Sequence, residues 1–354
     1  MFPQDVFDLI AIFSGDYNVI HTFKLTPQIL FYQKNISLVY GQVQSGKTAM
    51  IMKLLRKSVL PCVLIIQNSL LVLKQYMSRF NTNRIGFQTI HDSYIHSNVI
   101  LLMNNSSQYK KFLALNYPKR FSLFMDESDL TRFNPLVPLA TNQVHITATP
   151  FNYKQTFDKI IRIPPPTNYF GIEKVVMLPK PLYDSQTDFK PIIDDFTSND
   201  GGILLINEFS LIHDMNDAAF KLSKQFDIPI IVLSTHKLSF LNGVSSPIRS
   251  TNIQIIIDSF KYKHIIIIAN RLANRGLSFS SSDFKRHITH QVFGNFYSIT
   301  SFLQKSRIFG VYNDSPVLKM YLPHDLIPKA ISFIDKIKLN KSLLKEKPHN
   351  LFYC

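Results

Sequence analysis

The sequence predicts an α/β protein made of two domains, each with a parallel sheet. Three observations carry that prediction. Short apolar runs recur at 36–40, 61–66, 99–103 and 121–125, and again at 203–207, 228–233 and 264–268. Amphipathic stretches of helical period lie between them, at 49–57, 70–80 and 218–225. Strands buried on both faces and alternating with helices form parallel sheets. The third observation is length: 354 residues suit two domains of ordinary size. Pro164-Pro165-Pro166, followed by Thr167 and Asn168, reads as the break, because consecutive prolines stop both a helix and a central strand. The expected boundaries are a first domain over 1–165, a linker region over 166–200, and a second domain over 201–354 closing in a C-terminal helix.

The first strand, 36–40, leads into Gly41-Gln42-Val43-Gln44-Ser45-Gly46-Lys47-Thr48. This is the Gly-x-x-x-x-Gly-Lys-Thr spacing of a phosphate-binding loop, and the strand before it and helix after it are the context that motif requires. The glycines let backbone N–H groups turn inward, where the helix N-terminus adds its positive dipole end. Gly41, Gln44, Ser45, Gly46, Lys47 and Thr48 are therefore the candidate ATP-binding set. Lys47 is expected to reach the β- and γ-phosphates and Thr48 to hold Mg²⁺ through its hydroxyl. Upstream, Gln28 in Leu25-Thr26-Pro27-Gln28 is the first candidate for reading adenine and Gln33 the second, since a primary amide offers both a donor and an acceptor.

The second strand, 61–66, runs into Gln67-Asn68-Ser69 and then an amphipathic helix containing Lys74, Gln75 and Arg79. The third, 99–103, runs into Asn104-Asn105. Ligands sit at the carboxyl ends of parallel strands, so Asn68 and Asn105 are candidates for contact with a nucleic-acid backbone, and equally for helix caps. The strand 121–125 ends in Asp126-Glu127, two carboxylates that are costly to place there unless something neutralises them. Asp126 is expected to hold Mg²⁺ and Glu127 to orient and deprotonate the attacking water. A further strand ends in the hydroxyls of Thr147 and Thr149.

Taken together, the phosphate loop, Asp126-Glu127-Ser128-Asp129 and Thr147-Ala148-Thr149-Pro150 resemble motifs I, II and III of superfamily 2 helicases of the DEAD-like kind. After the strand at 264–268, Arg275-Gly276-Leu277-Ser278-Phe279 resembles motif V of that family. Gln304-Lys305-Ser306-Arg307-Ile308-Phe309-Gly310 resembles motif VI, with Gln-x-x-Arg-x-x-Gly in place of the common Gln-x-x-Gly-Arg-x-x-Arg. That variant looks like divergent phage, plasmid and large-DNA-virus members. The resemblance covers roughly residues 20 to 320. It implies two RecA-like P-loop NTPase domains, the second without a phosphate loop, with ATP and Mg²⁺ in an inter-domain cleft. It also implies that Thr147 and Thr149 couple the nucleotide state to the grip on nucleic acid. Gln304 and Arg307 are then catalytic, with Arg307 the first choice for an arginine finger and Arg275 the second. Gly276 joins the ATP-binding set.

Lys and Arg number 39 against 24 Asp and Glu, a net charge of +15. A balance that basic favours an anionic partner, nucleic acid first, although solubility alone also accounts for it; of the nucleic acids, DNA is expected ahead of RNA. Two cysteines with no Cys-x-x-Cys pair exclude a disulfide framework and make zinc a poor expectation. The first residues lack the basic region of a signal peptide, and the apolar runs are too short to span a bilayer. The expectation is a soluble intracellular protein with no membrane partner, cytoplasmic or, if viral, in host cytoplasm or virion. Replication, transcription or packaging proteins are its expected partners. The leading function is an ATP-dependent helicase or translocase. A terminase-like packaging or nuclease-linked motor is the alternative, with Asp184 and Asp188-Phe189-Lys190 as its only candidate nuclease carboxylates. A non-catalytic ATP-binding switch is the third reading, against which Lys47, Asp126 and Glu127 all stand.

Overall fold

The computed structural model describes residues 35–90, 96–115, 117–118, 120–130, 134–149, 157–233, 238–241, 253–270, 277–281, 283, 285–314 and 316–335. The chain divides into two compact units, the first reaching Pro165 and the second beginning at Pro166.

In the first unit seven strands form one parallel sheet. They are β1 (Asn35–Tyr40), β2 (Cys62–Ile66), β3 (Gln88–Thr89), β4 (Val99–Met103), β5 (Ser122–Asp126), β6 (Asn142–Thr147) and β7 (Lys159–Arg162), in the order β3-β4-β2-β5-β6-β1-β7. Every residue of β2 and β4 is buried, which is why both read as unbroken apolar runs rather than alternations. Val63, Ile65, Ile100, Leu102, Leu123 and Met125 share one core cluster, with Tyr109 and Phe112 of the helix Ser106–Ala114 packed into it. Each such aliphatic side chain contributes roughly 1.5–3 kcal/mol by leaving water. The register sets Asp126 beside Ile146 and Thr147 beside Tyr40. The carboxyl ends of β5, β6 and β1 therefore line up, and the loops that follow them converge on one edge of the sheet, where parallel sheets take their ligands.

The second unit opens with β8 (Tyr169–Phe170), β9 (Val175–Pro179) and the hairpin β10 (Leu182–Tyr183) and β11 (Gln186–Thr187). Its main strands are β12 (Gly202–Asn207), β13 (Ile230–Leu233), β14 (Leu238–Leu241), β15 (His264–Ala269) and β16 (Ile288–Phe293); β17 (Gly310–Val311) pairs with β8, and β18 (Leu318–Leu322) completes the set. The large sheet runs β14-β13-β15-β12-β16-β18-β9, with only β14 antiparallel, at an edge.

The stretch 166–200, expected as a linker region, instead folds into this unit. β9 pairs with β18, and the helix Phe189–Thr197 buries Ile192, Ile193 and Phe196 in the unit's core. The prolines halt regular structure only locally, and β9, an edge strand with no fully buried residue, lacks the apolar run that marks a central strand. The helix expected over 218–225 begins earlier, at Ile212–Gln225, because its first turns carry only Ile212 and Met215 among polar residues and hide the helical period.

Candidate functional site

The phosphate loop is built by backbone conformation. Gln44 at φ 57° and Gly46 at φ 96° both adopt the left-handed form, in which successive N–H groups line a concave anion nest. Gly46 caps the helix Lys47–Lys57, whose first N–H groups face the same loop, while Arg56 and Lys57 complement the dipole at its far end. Gly41 is required for space: a Cβ there would come within 2.8 Å of Ser45 Oγ and 3.1 Å of Ile163 Cβ. Lys47, 8% exposed, folds its ammonium back onto the loop, donating to the carbonyls of Gln42 at 2.8 Å and Gly41 at 3.2 Å. Ser45 Oγ is buried and has no hydrogen-bond partner among the described residues. A buried hydroxyl left so is costly unless a ligand completes it. Nest, lysine and unmatched hydroxyl together fit a polyphosphate.

Asp126 ends β5 beside this loop. The Tyr76 hydroxyl, from the helix Leu70–Thr82, donates to Asp126 Oδ2 at 2.5 Å. Burial pushes the Asp126 carboxyl above its usual range, against the Tyr76 hydroxyl, Lys47 and Arg79, which pull it down. The Tyr76 phenol is itself raised far above its ordinary value, by burial first and the Asp126 charge second, so it stays a donor. Arg79 lies one helical turn on, its guanidinium carbon 6.0 Å from the Tyr76 ring centroid. Glu127 follows in the left-handed region at φ 52°, which costs a non-glycine residue on the order of 1 kcal/mol or more and is the kind of strain found at functional sites.

Asp129 then closes the arrangement. Its two carboxylate oxygens accept from Thr147 Oγ1 at 3.0 Å and Thr149 Oγ1 at 3.2 Å, both threonines being fully buried. The Ser128 hydroxyl donates to the Ile146 carbonyl at 3.2 Å, and the Gly41 N–H to the Thr147 carbonyl at 3.2 Å. The phosphate loop, the carboxylate turn and the threonine strand are thus physically tied. Sequence reasoning placed Asp129 in a motif without giving it this clamp, and it missed Tyr76, which reads as an ordinary core position of an amphipathic helix. Asn105 takes the capping role: its side chain accepts from the Gln108 N–H at 2.9 Å, and its amide donates to Asn68.

In the second unit, Gln304 and Arg307 are 3% and 6% exposed. The Arg307 guanidinium donates to the Leu277 carbonyl. Two unanticipated amides fix the turn between them. Gln291 Nε2, on β16, donates to the Lys305 carbonyl at 2.7 Å and its Oε1 accepts from the Ile308 N–H at 3.0 Å. Asn207, ending β12, donates to the same Lys305 carbonyl at 3.4 Å. Asp188 caps its own helix, accepting from the Lys190 N–H at 3.0 Å, which accounts for it without nuclease chemistry. Gln28, Gln33, Arg275 and Gly276 lie outside the described residues.

The two largely parallel sheets are those of two RecA-like domains. Among solved structures the chain is similar to RecG bound to a three-way DNA junction, with a TM-score of 0.55 and 12% sequence identity. That match covers 97% of this chain and 52% of the RecG chain, so the likeness is one of fold and spans about half the length of its counterpart. No protein-family model matches the sequence, and no curated protein does. No helix among the described residues is long and apolar enough to cross a membrane.

Proposed function

We propose that the chain is a nucleic-acid-dependent ATPase of helicase or translocase type. The observation that carries this reading is the loop at the end of β1, where Ser45 Oγ is buried unmatched beside Lys47 and one residue pair, Asp126 and Glu127, supplies adjacent carboxylates. Lys47 would exchange its two loop carbonyls for phosphate oxygens. Thr48 and Asp126 would hold Mg²⁺, which contributes positive charge against the phosphates. Glu127 would position the attacking water and accept its proton. Asp129, clamped to Thr147 and Thr149, would pass a change at the nucleotide to β6 and the loop beyond it. An arginine of the second unit, Arg307 or Arg275, would stabilise charge on the transferred group, an effect of about 10³–10⁵ in rate for arginine fingers elsewhere.

The net charge of +15 supports an anionic partner, and a fold likeness to RecG, captured on a DNA junction, puts DNA ahead of RNA. A phage or large-DNA-virus origin rests on the shifted motif around Arg307 alone. The test is the ATPase rate of the full chain with no nucleic acid, single-stranded DNA, duplex DNA and RNA, each at low and moderate salt. Stimulation that weakens steeply as salt rises is expected. Binding of ATP without turnover under every condition would leave the switch reading in its place.

A further inference from the structure

We propose that Tyr76 is a positioning residue for the divalent cation that accompanies the nucleotide, orienting the Asp126 carboxylate expected to help hold it. The inference rests on the ATPase reading and deepens it. Tyr76 is 1% exposed and its hydroxyl donates to Asp126 Oδ2 at 2.5 Å. The phenol therefore ties the helix Leu70–Thr82 to the carboxylate at the end of β5.

A phenol has one proton to give, and the Asp126 carboxylate accepts it. Oδ2 is thereby engaged by the phenol, which leaves Oδ1 for the cation. Without the phenol, the carboxylate loses the donor that sets its plane. Outer donors of this kind hold ligands in place, and removing them typically costs about 10–100-fold in metal affinity.

Tyr76 itself is held by packing. Phe80 lies against it with ring centroids 6.2 Å apart, and Phe87 against Phe80 at 5.0 Å. These rings carry no polar group toward Asp126, so they supply a control that packing and positioning affect differently.

The experiment compares the full-length wild type with Tyr76→Phe and Phe80→Leu. Nucleotide affinity is measured in EDTA and across a Mg²⁺ titration, and Mn²⁺ binding to the nucleotide complex is followed by electron paramagnetic resonance. Tyr76→Phe should bind ATP in EDTA within about twofold of wild type. Its Mg²⁺ half-saturation and Mn²⁺ dissociation constant should each rise about tenfold or more. Phe80→Leu should unfold at lower denaturant yet keep the wild-type metal dependence. An unchanged metal dependence in Tyr76→Phe overturns the proposal, as does an equal loss of ATP binding in EDTA, which would make Tyr76 a packing residue. Wild-type chain that binds no nucleotide in either condition would instead sink the ATPase reading on which the proposal stands.

Discussion

At the carboxyl end of the first sheet, polar side chains converge on a position that the protein does not itself fill. In the second unit, two side-chain amides are used to brace one turn. Ser45 Oγ is buried without a partner among the described residues, beside a lysine that donates to two loop carbonyls. By contrast Asn207, ending β12, and Gln291, within β16, use their amides to hold the Lys305 carbonyl and the Ile308 N–H. Both units present a parallel sheet edge, so topology does not separate them. Backbone conformation does: left-handed residues at Gln44 and Gly46 open the first loop toward a ligand, whereas the second unit braces a turn with side-chain amides. Buried polar groups that complete one another rigidify, and an unmatched hydroxyl such as Ser45 Oγ gains when a ligand completes it.

The largest effect should come from breaking the receptive side. Lys47→Ala removes the loop's fixed positive side chain and should abolish ATP binding in a nucleotide titration. Glu127→Gln should bind ATP with near wild-type affinity and lose turnover by about 10²–10⁴, the usual range for a general base, because an amide accepts no proton. Equal affinity loss in the two variants would contradict that division of roles, and full turnover in Glu127→Gln would remove Glu127 as the base.

The next test falls on the braced side, where Arg307 can be asked which of two things it is. As an arginine finger, Arg307→Ala should leave ATP affinity within a few-fold and lower turnover by about 10³ or more, with poor rescue by lysine, which lacks the planar two-donor fork. As a strut to the Leu277 carbonyl, the same change should cost roughly 1–3 kcal/mol of stability in the second unit, and Arg307→Lys, which keeps a charged donor for that carbonyl, should restore most of it. Arg275→Ala, measured beside it, should mainly disturb nucleic-acid stimulation. Should Arg275→Ala abolish basal turnover while Arg307→Ala does not, the finger is Arg275.

What the sequence made legible follows the same division. The phosphate loop and Asp126-Glu127 are contiguous in the chain, so spacing alone exposes them, and the fully buried central strands announce themselves as apolar runs. Tyr76 and Asp126, or Gln291 and Lys305, meet only through sheet register and helix packing, which no local pattern records. β18 escaped notice because Lys319 interrupts its apolar run. That lysine is not a solvent residue: it donates to Asp195, as Tyr321 does at 2.5 Å, within a buried-edge network on His290. Asp194-Asp195, which resembles an exposed acidic pair, thus divides its roles, one residue bonding Lys190 on the surface and the other joining strand to helix.

The smallest expected effect, and the one on which the two units should agree, is a dependence on pH. Each sheet buries one histidine whose pKa burial lowers to about 4: His145 on β6, edge-on to Phe157, and His290 on β16, edge-on to Phe196. Their ordinary value is about 6.5. A folded-state pKa below the unfolded one means that the unfolded chain takes up the proton first as pH falls. The contribution is therefore fully present above about pH 6.5 and is lost progressively down to about pH 4, at roughly 2 kcal/mol per histidine by pH 5 and ~3 kcal/mol at most. The chain has no tryptophan, so hydrogen exchange by mass spectrometry, read separately for peptides of each sheet between pH 7 and pH 5 after correction for intrinsic exchange, is the suitable probe. Both sheets should lose protection together. His145→Gln should flatten the pH slope for the first sheet and leave the second unchanged, and His290→Gln should do the reverse. For His290 the neighbouring Asp195 carboxylate, 3.3 Å from Nε2, offsets part of the burial penalty while Lys319 adds to it. Asp195→Asn should consequently add little between pH 7 and pH 5 but extend the loss of protection to lower pH, below about pH 5, in the second sheet alone; a parallel change in the first sheet would show that the two units unfold as one.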